Sequence, residues 1–587
     1  MKVYVPHGNQ SIVLFEPTYG SETTALEKFP ALLRSGNLFY CPNKQGLVKH
    51  LYHQVRDHIT KKIQIDATLS KYLSDPISLD KLPDQFTYHT NPLAHQELAL
   101  RYAYTFKNVG LLLEPGLGKT KVVCDLIQVL GYRRNLVICP KPLLQVWSKE
   151  IDKHRPELSK YIVSSTDWSK EEKHIEGSQV VIINYDKCVY LEPELLKLKF
   201  ELLAIDEGLI SNLNTNRTQS ILELGKHAKS KIIMSGTLVN NSPLDLFAPL
   251  KFLEPSLLGT SVTRFKSRYT VPAKFNKNVI LGFRYTNEIR KALEACCLVM
   301  TKSEWLPDLP AKVFHEIEVN LSPAQKQVYE DLSRNWIAIL PGESTELEIE
   351  IDNPLPLLSK LTQICNGFLY LTKGETTADN DIPGLGAKPN RARMPRKIYE
   401  FQDNPKIQKL IELIQPKGQI HGKRAVVWFN MEYEKVLLER ALTKHRYRFI
   451  TISGGEKNAV GKVDEFNNDS SIPYLLCQAK TLNYGVTVLG HKNESSYDSD
   501  EENDEEILPQ FSTEVSDQIF YSLGFSLQLF LQQQDRIHRI GQTKECNYWI
   551  LQTNSSVERK ISRRLQEKLA VNKALLIDFV KSAKIES

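Results

Sequence analysis

What this 587-residue chain lacks narrows the field first. No apolar run is long enough to span a bilayer. The opening stretch MKVYVPHGNQ has no apolar core of the kind a secretory signal carries, so a soluble, intracellular protein is expected. Nine cysteines are scattered without a CxxC pair, and the adjacent Cys296 and Cys297 are poorly placed to bridge each other. That excludes a zinc ribbon and a disulfide framework, and leaves reduced thiols. Strong net charge is missing too, at +6, but the acidic run Glu494–Glu506 (ESSYDSDEENDEE) masks part of a basic excess. The remainder suits a polyanionic partner. With 41% hydrophobic and 25% charged residues the composition is globular, and the length exceeds what one core supports.

What is present centres on one stretch. An apolar strand, Val109–Glu114, runs into Pro115-Gly-Leu-Gly-Lys-Thr120 and then a helix over Lys121–Leu130. A strand, a glycine-rich turn carrying Gly116 and Gly118, and a helix N-terminus together cradle a phosphate chain. Lys119 is placed to reach the β- and γ-phosphates of a nucleotide, and the Thr120 hydroxyl to ligate Mg²⁺. The first glycine of the strict pattern is replaced by Leu113.

Downstream, apolar strands alternate with amphipathic helices: residues 136–139, 180–183, 202–205 and 231–234. The alternation predicts a parallel sheet, with ligands at the carboxyl ends of its strands. The strand 202–205 ends at Asp206-Glu207, where a nucleotide's metal needs an oxygen ligand and its attacking water a base. The bland alternative is a helix cap with a first-turn glutamate. Ser235-Gly236-Thr237 forms another polar strand end.

Residues 1–85 mix short apolar runs with a helical pattern and predict a small α+β accessory domain. His50, His53 and His58 there lack the further ligands of a metal site. Residues 252–345 read as largely helical, and Asp379–Pro395 as a loop. A second alternating block follows, with strands expected at 425–429, 449–453, 474–477, 519–522 and 548–551. Between the third and fourth lies an acidic surface loop, 490–517. The string Gln532–Thr543 (QQQDRIHRIGQT) then places Arg536 and Arg539 three residues apart, expected on one helical face. Two guanidiniums so placed can neutralise charge on phosphates.

These motifs, in this order, resemble the Swi/Snf-like ATPases of helicase superfamily 2. The likeness runs from about Leu93 to Lys560: EPGLGKT resembles motif I, LVICPKPLLQVWSKEI (136–151) motif Ia, VVIINYDK (180–187) motif Ib and AIDEG motif II. MSGTLVNNSPLDLFAPLKFLEP (234–255) resembles motif III, and DRIHRIGQ with SSVERKI (555–561) resembles motif VI and the C-terminal helix. Pro92–Gln96 resembles the adenine-sensing Q motif. The chain departs from the family at Leu209, where motif II usually has His, at Leu113 and Pro115 in motif I, and in motif V, where only Gly485 of a glycine pair remains.

The resemblance implies two RecA-like parallel-sheet lobes with helical insertions, ATP and Mg²⁺ in the cleft, and duplex or branched DNA across both lobes. It assigns Gln96 to the adenine, Gly116, Gly118, Lys119 and Thr120 to the phosphates, and Asp206 and Glu207 to metal and water. Arg536 and Arg539 become arginine fingers, and Ser235 and Thr237 couple nucleotide state to DNA grip. The expected domains are an accessory region at 1–85, a first lobe at 86–255, a helical insertion at 256–400 and a second lobe at 401–587. The expected activity is ATP-driven translocation on DNA in replication, repair or recombination, by a protein for which a monomer suffices. The compact size and Lys/Asn/Ile-rich composition point toward a virus or phage. Two alternatives from other classes are an ATP-binding DNA scaffold with weak turnover and a strand-separating DNA or RNA helicase. No histone-reading module is recognisable.

Overall fold

The structure is a computed structural model. It describes strands at residues 2–4, 12–16, 33–35, 38–42 and 64–65, then residues 79–208, 210, 213, 215–236, 243–255, 257–258, 261–272 and 280–335. Further on it describes 337–340, 347–350, 354–371, 397–456, 458–481, 488–490 and 511–582. The chain divides into two compact units, Met1–Pro307 with Leu569–Ser587, and Asp308–Lys568.

The first unit is built on a seven-stranded sheet. Its spatial order is Cys297–Met300, Asn108–Leu113, Ser230–Met234, Leu202–Asp206, Asn135–Cys139, Val180–Asn184 and Lys160–Ile162. Every neighbouring pair is parallel. The inner strands NLVIC, VVIIN and LLAID are buried at every position, as a parallel sheet covered by helices on both faces requires. The four strands expected between 136 and 234 are all found. The strand Cys297–Met300 was not expected, because residues 252–345 read as helix; it follows the helix Thr286–Cys296 without a break. A Cβ on Gly110 would stand 2.6 Å from Cys297 Sγ, so this glycine lets the edge strand close on the phosphate-loop strand. Five short strands within residues 2–65 form a separate mixed sheet. The helical pattern carrying His50, His53 and His58 lies outside the described residues.

The second unit holds a six-stranded parallel sheet, ordered Lys312–Val319, Cys546–Thr553, Val515–Phe520, Arg424–Phe429, Tyr474–Gln478 and Phe449–Ile452. Along Arg424–Phe429, alternate side chains enter different cores: Ala425, Val427 and Phe429 pack on one face, Val426 and Trp428 on the other. Two expectations need correction. The edge strand Lys312–Val319 replaces expected helix, its alternating exposure showing one face half open to solvent. The fourth strand is Val515–Phe520 rather than 519–522, so the acidic insertion gives up residues 515–517 to a buried strand. The loop Asp379–Pro395 lies outside the described residues. Among the described residues, no helix is long and apolar enough to cross a membrane.

Candidate active site

In the first unit, the strand Asn108–Leu113 delivers the chain to the turn and the helix Lys119–Leu130 carries it away. Gly116 and Gly118 have φ of 94° and 80°, left-handed values that favour glycine. Gly118 is the residue before the helix and no side chain caps it, which suits the first-turn amides to an anion. Lys119 Nζ donates to Leu113 O at 2.8 Å, folding the lysine back over the loop it belongs to. Thr120 follows in the same first helical turn, half-buried.

Leu202–Asp206 lies two strands over in the same sheet, and its last residue is a buried carboxylate. Asp206 Oδ2 accepts from the indole Nε1 of Trp147 at 2.8 Å, and Oδ1 accepts from the Glu207 amide at 3.0 Å. The Asp206 carbonyl accepts from the Tyr185 hydroxyl at 2.6 Å. Burial raises the Asp206 pKa above the ordinary carboxylate value, opposed by the Trp147 bond, the nearby Lys119 charge and the Glu207 amide. Glu207 sits at φ 61°, a left-handed value uncommon for a non-glycine residue, and Gly208 follows at 49°. Strained backbone at a strand end is a feature of functional sites.

Ser235 and Gln96 lie against the same loop. Ser235, buried, donates its amide to Leu111 O at 3.2 Å, and a Cβ on Gly236 would lie 2.8 Å from Pro115 Cδ. That close approach puts the third motif's strand end directly against the phosphate loop. Thr237, Leu209 and Gly485 lie outside the described residues. Gln96 is buried on the helix Ala94–Phe106, with Oε1 accepting from Leu93 N at 3.1 Å and Nε2 donating to Leu117 O at 3.2 Å. A second N–H and a second lone pair of that amide remain for a ligand.

Several contributors were not singled out from sequence. His95 Nε2 lies 2.9 Å from the same Leu117 carbonyl. A carbonyl only accepts, so Nε2 carries the proton; burial lowers the His95 pKa and favours this neutral form. Glu114 accepts from Lys302 N at 2.7 Å, latching the loop to the end of the neighbouring edge strand. Trp147 carried a usable signal, since a fully buried tryptophan needs a partner for its N–H.

In the second unit, the arginine pair is not on a helix. The helix Leu527–Gln534 stops before Asp535, and Arg536 and Arg539 occupy the turns that follow. Asp535 pairs with Lys312 at 3.2 Å, and the Arg536 side chain is buried, its Nε donating to Gln532 O at 3.1 Å. His538 Nε2 lies 2.9 Å from Pro310 O. Arg539 is half-buried.

Residues 95–368 match the family described as SNF2-related domain. That match covers less than half of the chain. Among curated relatives, the TATA-binding protein-associated factor mot1 of Schizosaccharomyces pombe is 24% identical over 468 residues, 73% of this chain and 22% of the relative. Protein CHROMATIN REMODELING 24 of Arabidopsis thaliana is 25% identical over 531 residues, 80% of this chain and 45% of the relative. The chain therefore spans less than half the length of either. Among solved structures, the Sulfolobus solfataricus SWI2/SNF2 ATPase core in complex with dsDNA is similar at 20% identity and a TM-score of 0.38, covering 85% of this chain and 95% of that one. The SNF2-related domain begins at His95, beside Gln96, and takes in the phosphate loop and Asp206-Glu207.

Proposed function

We propose that this chain binds ATP at the phosphate loop, hydrolyses it, and uses the cycle to move along duplex or branched DNA. The observation that carries the reading is the pairing of an uncapped helix N-terminus at Lys119–Thr120 with a braced, buried carboxylate at Asp206 in one sheet. Backbone amides and Lys119 take the phosphates, and Gln96 reads the adenine with the part of its amide left open. Glu207 orients the attacking water and takes its proton. Arg536 and Arg539 neutralise the charge that spreads over the transferred phosphoryl group. Ser235 and Thr237 relay the nucleotide state.

The residues fit Mg²⁺: Asp206 supplies hard oxygen at a strand end, and the Thr120 hydroxyl supplies another. When bound, the ion neutralises phosphate charge. The chain's own contribution is to oppose the rise that burial imposes on the Asp206 pKa, through Trp147, Lys119 and the Glu207 amide, each of which favours the ionised form.

DNA is the partner because the Swi/Snf-like motifs are those of duplex translocases and the chain's charge, once the acidic run is set aside, is basic. Phosphate contacts make such a grip sequence-independent and sensitive to salt. Measuring ATP turnover with duplex, branched and single-stranded DNA and with RNA tests this. Stimulation by duplex or branched DNA supports translocation, and stimulation by single strands or RNA alone supports the helicase. ATP binding without stimulated turnover supports the scaffold.

A further inference from the structure

Ahead of the helix that carries Gln96, the chain crosses the phosphate-loop helix as a strap, Phe86–Thr90, and the way it is held is unusual. Beneath it lie three charged side chains, each all but sealed from solvent: Lys121, Asp125 and Arg155. Lys121 and Asp125 stand one turn apart on the phosphate-loop helix, with Nζ 2.8 Å from Oδ2. Arg155, at the end of the helix Leu144–His154, donates its Nε to Asp125 Oδ1 at 2.7 Å. One carboxylate thus serves two cations, and each cation also holds the strap: Lys121 Nζ donates to Thr90 O at 2.9 Å, and Arg155 Nη1 to Thr87 O at 2.8 Å. Aromatic rings close over both charges, Phe86 at 4.7 Å from the guanidinium carbon and Tyr88 at 5.5 Å from the ammonium. Thr90 is fixed a second time, its hydroxyl 2.6 Å from His154 Nδ1.

Buried ions are a costly way to attach a surface strap, since apolar packing of similar volume usually does as well or better. Two buried polar atoms, Arg155 Nη2 and the Tyr88 hydroxyl, have no hydrogen-bond partner among the described residues. What the ions supply is direction. A planar guanidinium that faces a carboxylate, a carbonyl and a ring at once has a single orientation, and it fixes the strap relative to the helix. Three residues after Thr90 comes Leu93, whose amide binds Gln96 Oε1, and Gln96 in turn holds Leu117 O in the phosphate loop. A chain of short contacts therefore runs from Asp125 through the strap to Gln96 and back to the loop.

We propose that Lys121, Asp125 and Arg155 are positioning residues for nucleotide selection: they clamp the strap so that Gln96 presents its amide to the base at a fixed distance from the phosphate loop. The inference rests on ATP binding at that loop. The three charged side chains hold one another and the strap, so the clamp acts on base discrimination and affinity more than on the chemical step.

The test uses the full chain and three variants: Arg155→Met, its conservative counterpart Arg155→Lys, and Phe86→Ala, which loosens the strap while leaving all three charged side chains in place. For each, kcat and KM are measured with ATP and with GTP, and hydrogen exchange is followed over residues 86–97. Arg155→Met is expected to raise KM for ATP about tenfold, an ordinary coupling between sites, with a smaller change in kcat. It should also bring the ATP-to-GTP ratio of kcat/KM toward one, and Arg155→Lys should recover part of that ratio. If Arg155→Met fails to fold, Phe86→Ala decides, with the same direction expected. Faster exchange over the strap with an unchanged nucleotide ratio overturns the proposal, because the clamp is then structural only. A wild-type chain that hydrolyses ATP and GTP equally well overturns the clamp's role while leaving the proposed function standing. A chain that hydrolyses neither removes both.

Discussion

The indole of Trp147 holds Asp206 by a 2.8 Å hydrogen bond, donor to carboxylate, inside a site from which water is largely excluded. Trp147 comes from the helix Leu144–His154 and Asp206 from a strand end 59 residues later in the chain. A hydrogen bond to a charged acceptor contributes about 1.5–3 kcal/mol. Trp147→Phe keeps the ring and removes the donor. Because that bond lowers the Asp206 pKa, losing it raises the pKa further. The acid limb of the kcat/KM profile for ATP is therefore expected to move to higher pH, and an unmoved limb would show that Asp206 is not the group being titrated.

Asp206 also leaves a mark on stability. Its folded pKa is raised by burial, so the folded chain holds the proton more tightly than the unfolded one. Wild-type stability from this group is then highest in acid, falls as pH rises from about 4, and levels off above the folded pKa. Asp206→Asn lacks the dependence. In melting experiments without nucleotide, the wild type should lose ground to Asp206→Asn between pH 4 and pH 8, about the range from the ordinary carboxylate pKa to neutrality. A difference independent of pH contradicts the raised pKa.

Gly118 and Gln96 occupy one space. A Cβ on Gly118 would lie 2.3 Å from Gln96 Nε2, and its φ of 80° adds about 1–2 kcal/mol of backbone strain for any other residue. Gly118→Ala should weaken nucleotide binding by displacing Gln96. The double substitution with Gln96→Ala should fall short of the sum of the single effects, by roughly 0.5–3 kcal/mol. Full additivity in a binding titration would mean the two sites do not communicate.

In the second unit, Lys406 pairs with Glu558 where both are buried, and Lys406 also donates to Asn366 Oδ1 at 2.9 Å and Tyr521 O at 3.2 Å. The neighbouring Glu434, fully buried and held by Asn366, Ser522 and two backbone amides, has a raised pKa because burial outweighs those bonds. Removing one partner of a buried pair costs about 3–5 kcal/mol. Lys406→Met should lower stability by that order in denaturant unfolding, and adding Glu558→Gln should recover part of it. Equal stability of Lys406→Met and wild type would show the pair to be dispensable.

Much of this site was readable because its residues sit at punctuation points. A glycine-rich turn between an apolar strand and a helix, and an acidic pair directly after a buried strand, are local patterns, and the structure places them two strands apart in one sheet. What escaped was either contextual or obscured. Cys297–Met300 continues an amphipathic helix without a turn residue between, so periodicity sees one element where there are two. The strand at Val515 was hidden at the edge of an acidic run, its Asp517 buried by a hydrogen bond from Trp549 Nε1 at 2.9 Å. Arg536 and Arg539 had helical spacing, but the helix ends one residue before the motif's aspartate, which pairs with Lys312. The clamp of Lys121, Asp125 and Arg155 offered only an i, i+4 pair on an apparently amphipathic helix, and nothing local marks such a pair as buried.

Phosphate release from ATP, with and without duplex DNA, is the most direct measurement, made on wild type, Lys119→Ala and Glu207→Gln. Duplex or branched DNA should stimulate release strongly in wild type. Either substitution should abolish it, while Glu207→Gln still binds ATP. Turnover that ignores duplex DNA, or that persists in Glu207→Gln, contradicts the assignment of this site to a DNA-driven ATPase.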